Sequence, residues 1–197
     1  MNAKKLSFLL LILVAVACTN RSTSSEQDEM RHWNNVLQQI NALLLENKAR
    51  QTLDLAKQTL PEILESAEKN GTTDTLIYYA RKIFNACGNN YINTKQYKDG
   101  IDYMDSIGNH PLIREHCPHE LLSFKAGLNQ LYGNNPEAVR LAEDYLQLPV
   151  CTSANDFIRQ AEIISGVYMY SGNNLPKAIQ ILEKAIDVYR KGGNFPN

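Results

Sequence analysis

The densest group of residues able to do chemistry is the run His110-Pro111-Leu112-Ile113-Arg114-Glu115-His116-Cys117-Pro118-His119-Glu120, with three histidines and a cysteine in eleven positions. Imidazole and thiolate are zinc ligands, so a metal-dependent reaction is the one chemistry this run could support. The same residues also have a local explanation. Pro118 suits the first turn of a helix, Cys117 falls at its cap, and Glu120 complements the positive end of its dipole. The local reading is preferred, so no metal, cofactor or catalytic residue is expected, and a metal-dependent enzyme stands as the weakest alternative. Elsewhere the chain has no Gly-rich phosphate loop after a strand, no Gly-x-Ser-x-Gly and no His-Glu-x-x-His.

The elements that carry these residues begin with an export signal. Lys4 and Lys5 precede an apolar run from Leu6 to Ala17, broken only by Ser7 and too short to span a bilayer comfortably. It ends in Ala15-Val16-Ala17-Cys18, which resembles the lipobox of bacterial lipoproteins, although Leu is commonest where Ala15 stands. The resemblance implies removal of residues 1–17 and acylation of Cys18, which would hold the protein on a lipid bilayer in the cell envelope. An outer membrane is expected, with the periplasmic and surface faces both left open. Each buried acyl methylene contributes about 0.8 kcal/mol, so several chains make a permanent anchor. Residues 18–26 are polar and without periodicity, and read as the lipidated cysteine and a flexible tether. Composition agrees with a folded domain beyond it: of 197 residues, 44% are hydrophobic and 21% charged. The formal net charge of −1 argues against nucleic acid as a partner.

From 27 to 191 apolar residues recur at helical spacing, punctuated by Asn-Asn, Gly-Asn-Asn and Pro. The first stripe holds Trp33, Val36, Leu37, Ile40 and Leu44. A break at Glu46-Asn47-Lys48 leads to Ala49, Leu53 and Ala56, then Pro61. The helix is expected to run on to Lys69, to stop at Asn70-Gly71, and the next to start at Asp74. Small residues then recur: Gly88, Ala126 and Ser165 at intervals of 38 and 39, and Gly100, Ala138 and Ala178 at intervals of 38 and 40. Repeats of this length are stacked helical hairpins, and small residues let the two helices of a hairpin approach. An all-α fold is expected. Cys87, on an apolar stripe, should be core. Cys117 precedes one helix and Cys151 follows the next, which an antiparallel hairpin brings side by side. In an oxidising compartment they are the candidate disulfide, closing a loop worth about 3–4 kcal/mol.

The units resemble the tetratricopeptide repeat. Phe84, Cys87, Gly88, Tyr91, Tyr97, Gly100, Met104, Ile107 and Pro111 form the best match. Trp33 to Pro61 keeps the spacing but has Leu37 where a small residue is usual, and Ser165, Tyr168, Gly172, Ala178, Leu182 and Ala185 match with one extra loop residue. The third unit is poorest, with Lys125 and Asn129 at positions usually apolar or aromatic. The resemblance implies a right-handed helical-hairpin solenoid of about four degenerate repeats, whose first helices line a concave groove. In this chain the groove positions would be Arg31, Asn34, Gln38 and Asn41; Lys82, Asn85 and Asn89; Ser123 and Gln130; and Arg159 and Glu162. Amides can bracket a peptide backbone and cations can hold a carboxylate, although any solvated helix face is similarly polar. The row does not reproduce the carboxylate clamp of chaperone-binding members.

The leading expectation is therefore a membrane-anchored interaction or scaffold module with a protein or peptide in its groove. Lipobox-plus-repeat chains of this kind are similar to Bacteroidetes proteins whose repeats form the extracytoplasmic part of histidine kinase-like sensors. The N-terminal part of a longer signalling protein is thus the alternative. Residues 192–197 would leave the last hairpin open, with little over Ile186 and Tyr189. That end is expected to dock on a partner or on another copy.

Overall fold

The computed structural model describes residues 28–149 and 154–191. The expected signal at 1–17, the expected tether with Cys18, Cys151 and residues 192–197 lie outside the described residues. Among the described residues the fold is all-α, without a strand. Helix α1 covers 28–45. It is followed by α2 (Ala49–Asn70), α3 (Asp74–Asn93), α4 (Tyr97–Ile107), α5 (Pro111–His116), α6 (Pro118–Tyr132), α7 (Asn135–Gln147), α8 (Ala154–Tyr170) and α9 (Leu175–Lys191). None of these is long and apolar enough to cross a membrane.

The helix ends follow from local chemistry. As expected, α2 continues through Pro61 and stops at Gly71, which takes a positive φ of 85°. Thr73 then caps α3 by accepting the Leu76 N–H at 3.2 Å. The loops joining α1 to α2, α3 to α4 and α6 to α7 share one turn. A single residue adopts the left-handed conformation (Asn47, Lys95 and Gly133), and the next N–H reaches back five residues. Those bonds are Lys48 to the Leu43 carbonyl, Gln96 to Tyr91 and Asn134 to Asn129. This closure satisfies carbonyls that a helix end leaves open. The loop from α8 to α9 is longer than these three, and Asn174 reaches back six residues to Tyr168 past left-handed Asn173.

Packing is between neighbours. The consecutive pairs α2–α3, α3–α4, α6–α7 and α8–α9 pack together, α6 lies on both α3 and α4, and α8 lies on both α6 and α7. One buried cluster, spanning α1 to α6, is rich in large side chains, including Trp33, Phe84, Tyr91 and Phe124. The second, from α6 to α9, is built largely on Ala126, Ala138, Ala142, Ala161, Ala178 and Ala185. Small side chains let helix axes come close, and larger ones fill the remaining space.

Gly88 corrects the reading that small residues serve contact within a hairpin. A Cβ there would lie 2.4 Å from the Phe124 ring, so the glycine makes room for α6, a helix of the following pair. Gly100 serves both contacts: a Cβ would meet Tyr91 of its own hairpin and Leu128 of α6, each at 3.0 Å. The residues that departed from the repeat pattern are explained by pairing. Lys125 meets Asp105 at 2.5 Å. Buried Asn129 donates to the Lys125 carbonyl at 2.8 Å and accepts from Asn134 at 3.0 Å, tying the helix to its own turn.

Candidate binding groove

Residues from α1, α3 and α8 line one concavity of about 680 Å³. On α3, Lys82, Asn85, Asn89 and Asn93 form a single stripe, because steps of three and four return to the same helical face. Asn41 faces them from α1 together with Leu37, Ile40 and Leu44, and Arg159, Glu162 and Ile163 face them from α8. Six of the eleven groove positions that the resemblance implies therefore meet: Asn41, Lys82, Asn85, Asn89, Arg159 and Glu162. Leu44, expected on the buried stripe of α1, is instead 42% exposed and forms part of this wall.

The remaining positions fall elsewhere. Arg31 is exposed and pairs with Asp28 at 3.5 Å, one turn away. Asn34 and Gln38 are exposed on α1 but do not line the concavity. Gln130 is half-buried and faces α8, its Oε1 lying 3.8 Å from where a Cβ on Gly166 would stand. Ser123 corrects the sequence reading: it is buried, and its hydroxyl donates to the Glu120 carbonyl at 3.0 Å. Asn93 and the apolar wall were missed. Asn93 continues the four-residue step of Asn85 and Asn89, so its signal was present, whereas Leu37, Ile40 and Ile163 look like ordinary core residues in sequence.

The groove contains unpaired polarity of both kinds. Asn89 and Asn90 each donate a side-chain N–H to a carbonyl one turn back, at 2.8 Å to Asn85 and Ala86. Asn90 is fully buried, and its Oδ1 accepts no hydrogen bond among the described residues. Lys82 lies 5.6 Å from the Tyr78 ring centre. Neither Lys82 nor Arg159 pairs with a carboxylate among the described residues. In contrast, the Lys98–Asp102, Lys177–Glu143 and Arg140–Glu137 pairs are closed on the outer surfaces. A surface with amides, cations and apolar walls can hold an extended chain through its backbone and its acidic groups.

The histidine and cysteine run is dispersed by structural roles. His110 caps α5 by accepting the Leu112 N–H at 3.2 Å, and its other ring nitrogen lies 3.1 Å from Glu68. His119 contacts the Pro149 carbonyl at 2.6 Å and packs edge-on against Tyr145. Pro118 does open α6 with Cys117 at the cap position, but the Cys117 side chain makes no capping bond. Glu120 is not on the solvent side of the helix start. It is 2% exposed and lies 3.3 Å from Arg81 of α3, which also donates to the His116 carbonyl. Among the described residues no group of three or more His, Cys, Asp or Glu could hold a metal.

Cys117 is buried and free among the described residues, and Cys151, expected to pair with it, lies outside them. Burial pushes its thiol up to about 12. Burial likewise pushes Cys87 up to about 12, and places it in the core as expected. Thiols held neutral in this way are poor nucleophiles.

Comparison of the chain with protein-family models, curated proteins and solved structures finds no match.

Proposed function

We propose that the protein is a lipid-anchored interaction or scaffold module of the bacterial cell envelope. It is a right-handed, tetratricopeptide-like solenoid of about four degenerate hairpins that holds a peptide or protein segment in its concave groove. The observation that carries this reading is the convergence of Asn41, Lys82, Asn85, Asn89, Arg159 and Glu162, chosen by helical spacing, on one concavity. The recurring left-handed turn and the neighbour-to-neighbour helix packing support the repeat architecture. Lys4, Lys5, the apolar run and Ala15-Val16-Ala17-Cys18 support the anchor.

In the groove the partner's backbone N–H groups meet the carboxamide oxygens of Asn41, Asn85, Asn89 and Asn93. Lys82 and Arg159 take acidic groups of the partner. A photoreactive side chain at Asn89 should give partner adducts in cells, whereas one at Asp102 on α4 should give none. Equal adducts at both positions, or adducts at neither, would overturn the groove. Cys18→Ala should release the protein from membranes, and retention of the variant would remove the anchor from the reading.

A further inference from the structure

We infer that Asn70-Gly71 is a self-modification site: the Gly71 backbone nitrogen turns the Asn70 carboxamide into a carboxylate, with water as co-reactant, and the new charge loosens α1 from α2. Asn-Gly occurs once in the chain. The turn after α2 differs from the other helix ends. Behind α1 and each of α3 to α8, the first residue past the helix donates its N–H to a carbonyl of that helix, as Thr94, Gly108 and Ser171 do. The N–H of Gly71 makes no hydrogen bond among the described residues. At the exposed turn asparagines Asn47, Asn109 and Asn173 the following N–H is bonded, to the Leu43, Ile107 and Tyr168 carbonyls. Asn134 is followed by Asn135, whose side chain crowds the nitrogen.

The site is also open. Asn70 and Gly71 are both exposed, and a Cβ placed on Gly71 would meet nothing within 4 Å. Asn70 is the last residue of α2, so bringing its carboxamide over the Gly71 nitrogen disturbs only the helix end, where opening costs least. In the reaction the Gly71 N–H gives its proton to hydroxide, and the nitrogen attacks Asn70 Cγ. A C–N bond forms, the Cγ–Nδ2 bond breaks, and the departing nitrogen takes protons from water and leaves as ammonia. Water then opens the cyclic imide. Addition at Cγ gives aspartate, and addition at the Asn70 main-chain carbonyl gives isoaspartate. Water enters, ammonia leaves, and nothing is oxidised or reduced.

The carboxamide that is lost has a place in the fold. Asn70 Nδ2 donates to Ser66 Oγ at 3.2 Å, and the Ser66 hydroxyl donates to the Glu29 carboxylate of α1. A carboxylate at position 70 has no hydrogen to give Ser66, repels Glu29 and lies at the negative end of the α2 dipole. Helix α1 supplies Leu37, Asn41 and Leu44 to the concave groove, so its loosening weakens that wall. The effect on binding rests on the proposed groove, whereas the modification does not.

The full chain, held in mildly alkaline detergent solution, should gain the mass of NH exchanged for O, and peptide mapping should place the first gain at Asn70. Its rate should stay within about tenfold of the rate in urea, because the fold leaves this turn open. Gly71→Ala should slow the gain by about tenfold or more by crowding the attacking nitrogen. Asn70→Asp should speed hydrogen exchange of the α1 amides severalfold, whereas Asn173→Asp should leave them unchanged. A first gain at another asparagine, a folded rate more than about tenfold below that in urea, or an undiminished rate in Gly71→Ala overturns the site. Unchanged α1 exchange in Asn70→Asp overturns its consequence. None of these readouts involves a groove partner, so a failure of the groove leaves them intact.

Discussion

Gly-Asn-Asn occurs three times in this chain, and its structural fate differs. At Gly133-Asn134-Asn135 and Gly172-Asn173-Asn174 it makes the turn between two helices. At Gly88-Asn89-Asn90 it lies in the middle of α3. The two turns are themselves different, since Gly133 takes the left-handed conformation in one and Asn173 in the other. Both turns are followed by a proline at the start of the next helix, Pro136 and Pro176, whereas Gly88-Asn89-Asn90 runs into Tyr91 and Ile92. Inside α3 the two asparagines bond carbonyls one turn back, and the glycine makes the space that the Phe124 ring fills. A tripeptide with turn propensity therefore stays helical when tertiary packing needs its smallest member at that place.

The largest effect on this contrast should come from removing what seats Phe124 on Gly88. The buried Glu120 carboxylate and Arg81 fasten the start of α6 to α3. Glu120→Ala leaves the guanidinium partly buried without this partner and should cost about 3 kcal/mol or more in urea unfolding. Next is the contact itself. Gly88→Ala places a methyl 2.4 Å from the ring and should cost about 1–3 kcal/mol. Gly172→Ala, whose Cβ meets nothing closer than 3.3 Å, should stay within about 0.5 kcal/mol. Phe124→Leu added to Gly88→Ala should recover part of the loss, and equal costs for the two glycine variants would erase the distinction.

A pH series separates the interior from the turns. Cys87, beside Gly88, and Cys117 are both raised by burial from near 9 to about 12. Above the ordinary thiol range the unfolded chain loses protons that the folded chain keeps. Their contribution to stability is thus complete below about pH 9 and is lost as the pH rises through about 12. The melting temperature should fall over that window, and Cys87→Ala should flatten the fall. The smallest effect belongs to the turns. Lys95 holds a φ of 58°, where a side chain other than Gly, Asn or Asp is strained, so Lys95→Gly should gain about 0.5–1 kcal/mol. Asn173→Gly should change stability by only a few tenths, because Asn tolerates this conformation. A larger gain at Asn173 would mean that the turn is under more strain than its backbone indicates.

Much of the helical organisation could be read from local signals. The break at Glu46-Asn47-Lys48, the long α2 ending at Asn70-Gly71 and the start of α3 at Asp74 all follow from periodicity and capping chemistry, which act within a few residues. The turn at Thr94-Lys95-Gln96 gave no such signal, because Lys95 has no preference for the left-handed region. Spacing also placed the polar groove positions of α3 and α8, since a helix repeats its faces regularly. It misplaced Ser123, which shares the period of a groove residue but is turned inward against the carbonyl of Glu120.

Local chemistry in the sequence sets most helix ends, the apolar stripe of most helices and the interval at which small residues return. Which helix each small residue admits, the burial of Glu120 against Arg81 and the meeting of α1, α3 and α8 in one groove come from long-range packing. The two differ in range. Capping and periodicity are set by neighbours three to five positions apart. The partner of Gly88 is thirty-six residues away, and the walls facing Lys82 come from helices on either side of it in the chain.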